Sequence, residues 1–213
     1  MQPKPILWSF RRCPYAMRAR LAVQASGADV QLREILLRDK PAAFLATSMS
    51  GTVPCLDAGS VVIDESFDIM TWALQRSDPR GWLDQPDEAM GLIAQCDGSF
   101  KSALDRYKYF TRHPDGTREV AQLEAAKYLN DLDQRLAGQA WLFGKEGLSD
   151  MAILPFVRQF ANTDRAWFDA QNWPHLIDWL NRFTESQAFL SIMQKYTPWQ
   201  EGDDPVMFGQ TPS

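Results

Sequence analysis

Apolar and polar positions along the 213-residue chain fall into two regimes. In the first third the period keeps changing. "PILWSF" (Pro5 to Phe10) is an apolar run of strand length and predicts a buried strand. Behind it Met17, Leu21 and Ala25 recur at spacing four, with Pro14 ahead of them and Gly27 after. Proline fits the first turn of a helix and glycine ends one, so both ends of this helix are marked. "DVQLREILL" (Asp29 to Leu37) starts in apolar/polar alternation and predicts a second strand. "KPAAFLATS" (Lys40 to Ser48) predicts a short helix. "TVPCLD" and "SVVIDES" predict two short strands turning at Ala58-Gly59, and "SFDIMTWALQ" (Ser66 to Gln75) a third helix. The order is β-α-β-α-β-β-α.

"RSDPRGWLDQPDE" (Arg76 to Glu88) is polar, carries two prolines and a glycine, and reads as a linker. Beyond it the helical period takes over. One long segment runs from about Asp87 to Arg112, where "HPDG" breaks it. From Thr117, Ala125, Leu129, Leu132 and Leu136 recur at helical spacing until Gly138. Ile153, Phe156, Val157 and Phe160 form another one-face stripe, as do Phe189, Ile192, Met193 and Tyr196. The tail "TPWQEGDDPVMFGQTPS" predicts irregular chain, with Trp199 and Phe208 as candidates to pin it. The expected organisation is an α/β domain over 1–76, a linker over 77–87 and an all-helical domain over 88–213.

Charge and composition narrow the function classes. Lys and Arg number 22 against 27 Asp and Glu, a net charge of −5, which argues against a broad nucleic-acid footprint. No apolar run reaches the length of a membrane span. The N-terminal apolar stretch is short for a signal peptide, so a cytoplasmic protein is expected. Cys13, Cys55 and Cys96 are an odd number with no close pair, and no Cys/His cluster suggests a metal. His113 and His175 lie far apart and read as surface or capping residues.

Cys13 is the residue with chemistry attached. It follows a strand and two arginines and immediately precedes the proline that opens a helix. First-turn N–H groups and nearby cations favour the thiolate, which is the nucleophilic form. The position three residues on, where a dithiol motif has its second cysteine, is Ala16. A monothiol forms a mixed disulfide only with a partner brought from outside.

A β-α-β-α-β-β-α unit with "CPYA" after its first strand, then a helical domain, resembles the glutathione transferase superfamily, and the likeness spans the chain. It is nearest to the cysteine-type members, the omega-like transferases and two-domain bacterial glutaredoxins. The resemblance implies a thioredoxin-like N-terminal domain that binds glutathione as cosubstrate, no metal, and a helical C-terminal domain. "GTVPCL" matches the Val-Pro segment of the family, implying a cis Pro54 and a Val53 main chain that pairs with the cysteinyl unit of glutathione. "DESFDI" matches the Glu-Ser pair, implying Glu65 and Ser66 as the site for the γ-glutamyl group. Lys40 matches a lysine that reaches the glycyl carboxylate. Arg18 and Arg20 read as structural partners of carboxylates. "GLSDMAILPF" resembles the helix-capping segment of the second domain, with Gly147 where Ser or Thr is usual.

The implied activity is thiol transfer or reduction through a Cys13–glutathione mixed disulfide. Conjugation of glutathione to electrophiles is the alternative, with Ser9 or Tyr15 as the hydroxyl. A further alternative is a stress protein of this fold that binds RNA polymerase without catalysis. Tyr15 and Tyr107 are the expected acceptor-pocket residues. A homodimer acting on a small electrophilic or disulfide acceptor, with no nucleic-acid or membrane partner, completes the expectation.

Overall fold

The computed structural model describes residues 4–112 and 116–209, and the chain forms two compact units. One gathers the described parts of Met1–Gly81 and Ser186–Ser213; the other is Trp82–Glu185. His113 lies outside the described residues.

The first unit opens with β1 (Ile6–Ser9), α1 (Pro14–Ser26), β2 (Val30–Glu34), α2 (Ala42–Thr47), β3 (Cys55–Asp57), β4 (Val62–Ile63) and α3 (Ser66–Leu74). The predicted order holds. Pro14 is the first helical residue of α1, and Gly27 ends it at φ 71°, a left-handed conformation that suits glycine. β1 and β2 are parallel, while β3 runs antiparallel to β1 and β4 antiparallel to β3. Side chains alternate across the sheet. Trp8 therefore packs on Phe44 of α2, with ring centroids 5.6 Å apart, while Ser9 faces α1 and accepts a hydrogen bond from Arg20.

The second unit holds α4 (Glu88–Gln95), α5 (Lys101–Lys108), α6 (Arg118–Arg135), α7 (Leu148–Ala161), α8 (Arg165–Asp169) and α9 (Pro174–Glu185). The uninterrupted helix expected over 87–112 is corrected by a wider π turn at Cys96–Phe100, between α4 and α5. Cys96 and Phe100 are both buried across it. α7 is buried along most of its length. Its N-terminus is capped by the linker segment: the Trp82 carbonyl accepts from Leu148 N at 3.0 Å and Gln85 Oε1 from Ser149 N at 2.8 Å. Gly147 has no side chain to supply that oxygen. A Cβ there would lie 2.1 Å from Gln85 Nε2, so Gln85 fills the place of a capping Ser or Thr. Asp150 supplies the reciprocal half, accepting from Gly147 N at 3.1 Å.

The chain then returns to the first unit with α10 (Gln187–Ile192) and β5 (Met207–Phe208). The stripe read to Tyr196 is helical only as far as Ile192. The tail, expected to be irregular, contributes a strand: β5 pairs antiparallel with β2, giving the sheet order β4-β3-β1-β2-β5. Two paired residues carry too little pattern to be read locally. Trp199 is pinned, with its ring edge-on to Trp8 at 5.1 Å. Among the described residues no helix is long and apolar enough to cross a membrane.

Candidate active site

Cys13 is delivered by a tight turn and received by a helix. Phe10 O accepts from Cys13 N at 2.9 Å, closing the turn over Arg11 and Arg12, and Cys13 is the N-cap residue of α1. The sulfur thus sits at the positive end of the α1 dipole, where negative charge is favoured. It is partly buried and packs against the cluster of Trp8, Ile35, Phe44, Val53 and Cys55. Its Sγ–H donates to the Val53 carbonyl at 3.6 Å. The Val53–Pro54 peptide bond is cis.

Cys13, Val53 and Pro54 line a cavity of about 490 Å³ together with Tyr15, Lys40, Glu65 and Ser66. That volume suits a small organic ligand. The cavity lies wholly within the first unit. Two helix N-termini open onto it, α1 at Cys13 and α3 at Ser66, whose first-turn N–H groups have no intrahelical acceptor. Ser66 is buried and Glu65 is exposed. Lys40 Nζ donates to Gly51 O at 2.8 Å, tying the start of the α2 segment to the loop before Val53.

Leu37, Gly51, Thr52 and Asp64 also line the cavity, and the sequence did not single them out. Asp64 matters most of these. It accepts from Ser48 Oγ at 2.7 Å, Met49 N at 3.1 Å and Ser50 N at 3.2 Å, so it anchors the loop that leads to Val53. Burial alone pushes its carboxyl up, but bonds from Ser48, the Cys55 thiol and the Ser50 and Met49 amides outweigh that and hold it below the ordinary aspartate value. The Cys55 thiol is pushed up to about 12, first by burial and then by Asp64. Cys55 is therefore an inert hydrogen-bond donor.

Several expected residues lie elsewhere. Ser9, a candidate hydroxyl for conjugation, is 0% exposed and accepts from Arg20 Nε at 2.8 Å. Tyr107, expected in an acceptor pocket, is a core residue of the second unit. It is 1% exposed, packs on Phe160 with centroids 5.1 Å apart, and its hydroxyl accepts from Gln122 Nε2 at 2.9 Å. Arg11 and Arg12 do not line the cavity. Arg11 Nη1 donates to Met193 O at 3.3 Å and the Arg12 guanidinium lies 5.2 Å from the Phe10 ring centroid. The Lys101 and Arg106 charges are paired with Asp105 and Glu124. Among the described residues no cluster of His, Cys, Asp and Glu is arranged to hold a metal ion.

Two family models match the chain: the glutathione S-transferase N-terminal domain over residues 7–81 and the glutathione S-transferase C-terminal domain over 92–182. The chain belongs to the glutathione S-transferase family. No curated protein matches it. Solved structures share its fold at low identity. A glutathione transferase family member from Pseudomonas fluorescens pf-5, with two glutathione bound, superposes with a TM-score of 0.77 at 16% identity, over 89% of this chain and 92% of that one. A glutathione transferase from Pseudomonas putida, with one glutathione disulfide per subunit, has a TM-score of 0.76 at 17% identity, over 90% and 91%. Glutathione transferase Omega 3C from Trametes versicolor has a TM-score of 0.74 at 16% identity, over 90% and 85%. In this transferase the cavity at Cys13 lies in the N-terminal family domain, and all of the lining residues named above fall inside residues 7–81.

Proposed function

We propose that this transferase is a cysteine-type member that performs glutathione-dependent thiol transfer with Cys13 as nucleophile. The observation that carries the reading is the sharing of one cavity by a helix-capping thiol, the main chain before a cis-proline, and the Lys40, Glu65 and Ser66 side chains. Each group answers one part of a γ-linked tripeptide. The Glu65 carboxylate takes the ammonium, and Ser66 with the α3 amides takes the γ-glutamyl carboxylate. Lys40 takes the glycyl carboxylate. Val53 pairs with the cysteinyl main chain, and its carbonyl, occupied by the thiol proton in the resting site, is released when Cys13 ionises. Structural neighbours bearing glutathione or its disulfide support the same ligand class.

The Cys13 thiolate attacks the glutathionyl sulfur of a mixed disulfide RS–SG. The Cys13–SG bond forms as the RS–SG bond breaks, and RS⁻ leaves and takes a proton from water. A second glutathione, as thiolate, attacks the enzyme-bound glutathionyl sulfur. Glutathione disulfide departs and the Cys13 thiolate is restored. The net reaction reduces RS–SG to RSH and oxidises glutathione. Replacing the nucleophile tests it: Cys13→Ser should lower turnover of a small glutathionyl mixed disulfide by at least ~10³-fold. A serine variant that keeps the activity overturns the reading. Conjugation is the second reading, favoured by Tyr15 on the cavity wall. It predicts instead that Tyr15→Phe abolishes addition of glutathione to an electrophile while Cys13→Ser does not.

A further inference from the structure

The turn that presents Cys13 is gripped on its far side by the end of the chain. Glu34 Oε1 accepts from the backbone N of Arg11, the second residue of that turn, at 2.7 Å. Its other oxygen pairs with the Arg20 guanidinium, which is wholly buried. Arg20 also donates from Nε to Ser9 Oγ at 2.8 Å and from Nη1 to Ile192 O at 3.0 Å. Arg11 Nη1 donates to Met193 O at 3.3 Å. Ile192 and Met193 close α10, where carbonyls lack intrahelical donors and cations are favoured. Arg11, which sequence alone casts as a helper of the thiol, therefore joins Arg20 in capping a helix near the C-terminus.

The segment beyond α10 completes the grip. The Tyr196 and Phe208 rings flank the Arg20 guanidinium at 5.9 and 6.0 Å. Trp199 N donates to Glu34 O at 2.8 Å, and the Arg33 guanidinium lies 4.3 Å from the Trp199 centroid and 4.7 Å from that of Trp8. Gly209 passes so near Ala28 O that a Cβ would lie 2.0 Å from it. A buried Arg–Glu pair is weak as a source of stability, because desolvation offsets its attraction. Here it has a geometric use, joining the turn, α1, β2 and α10 at one point.

We propose that the C-terminal segment from Gln187 to Phe208, acting through Arg11, Arg20 and Glu34, is a positioning clasp for Cys13. It rests on the reading of Cys13 as nucleophile. Arg11, Arg20 and Glu34 are positioning residues, since the cavity lining does not include them. A reacting atom displaced by about 1 Å loses up to ~100-fold in rate, so a loosened turn shows in chemistry before it shows in binding.

The deciding variant is Arg11→Ala. It removes the bond to Met193 while leaving the backbone amide on Glu34, and the side chain is not fully buried, so the fold is retained. Alkylation of Cys13 by iodoacetamide, followed by peptide mass, is expected to slow by about 3- to 10-fold, and kcat with a glutathionyl mixed disulfide to fall alike, with the glutathione KM within about twofold. Arg11→Lys should restore most of the rate, because an ammonium also caps carbonyls. Tyr196→Ala removes a half-buried ring beside the Arg20 guanidinium and should act in the same direction. Wild-type alkylation faster than that of free cysteine, with Arg11→Ala and Tyr196→Ala equally fast, overturns the clasp and spares the nucleophile. A wild-type Cys13 that alkylates no faster than free cysteine overturns the nucleophile reading and the clasp with it.

Discussion

The Sγ of Cys13 donates its proton to the carbonyl oxygen of Val53 across 3.6 Å. That contact joins the N-cap of α1 to the segment before the cis-proline, which are 40 residues apart in sequence. Under the proposed thiol-transfer reading, it sets the candidate nucleophile against the main chain proposed to bind glutathione.

Binding and chemistry are expected to separate by residue. Ser66→Ala removes a buried hydroxyl at the α3 N-terminus, and Glu65→Gln removes a charge at its N-cap position. Each should raise the glutathione KM by about 10- to 100-fold, the range of a charge-assisted hydrogen bond, with kcat changed less than about threefold. Steady-state kinetics with glutathione varied check this. A fall in kcat with KM unchanged would move these residues from binding to catalysis.

Gln85 and Gly147 form a coupled pair. Gln85→Ala deprives Ser149 N of its acceptor and should cost about 1 kcal/mol, the usual worth of a cap. Gly147→Ser alone places a Cβ against the Gln85 side chain and should give no gain. In the double variant the introduced serine hydroxyl takes over the cap, and most of the loss should be recovered. Urea midpoints across the four proteins measure the coupling, and strict additivity contradicts it.

Half-buried Asp64 and fully buried Asp150 predict opposite pH dependences. Asp64 lies below its ordinary value, so its contribution to stability is present at neutral pH and is lost as pH falls through its folded value. Burial pushes Asp150 up to about 7, against hydrogen bonds from Leu142, Trp179 and Gly147. Its contribution is full below the ordinary aspartate range and declines as pH rises toward 7. Denaturation midpoints between about pH 4 and about pH 7 should therefore fall with pH more steeply in the wild type than in Asp150→Asn. Equal slopes contradict the assignment. Asp64→Asn should show a lower midpoint than the wild type at neutral pH, with the gap narrowing in acid.

Legibility followed locality. Pro14 and Gly27 act within their own helix, so the bounds of α1 could be read from sequence, as could the β3–β4 hairpin. The cap from Gln85 could not, because its partner Ser149 is 64 residues away and no pattern links them. The role of Arg11 was not legible for the same reason: two arginines beside a thiol suggest local electrostatics, yet its acceptor on α10 is 182 residues on. Tyr107 was misplaced because an aromatic on a helix has the same sequence signal whether it lines a pocket or fills a core. Cys13, Val53, Pro54, Glu65 and Ser66 lie in short motifs, so sequence alone could group the residues that line the cavity. Asp64 was passed over although it adjoins Glu65, because only the folded loop Ser48–Ser50 reveals what it holds.

The central claim is that the sulfur of Cys13 carries the glutathionyl group. Treating the intact protein with glutathione disulfide, then measuring its mass and mapping the modified peptide, tests this most directly. One glutathionyl group is expected, on Cys13, removed by added glutathione and absent from Cys13→Ser. A protein that stays unmodified, or that takes the group on Cys55 or Cys96 while Cys13 remains a free thiol, contradicts it.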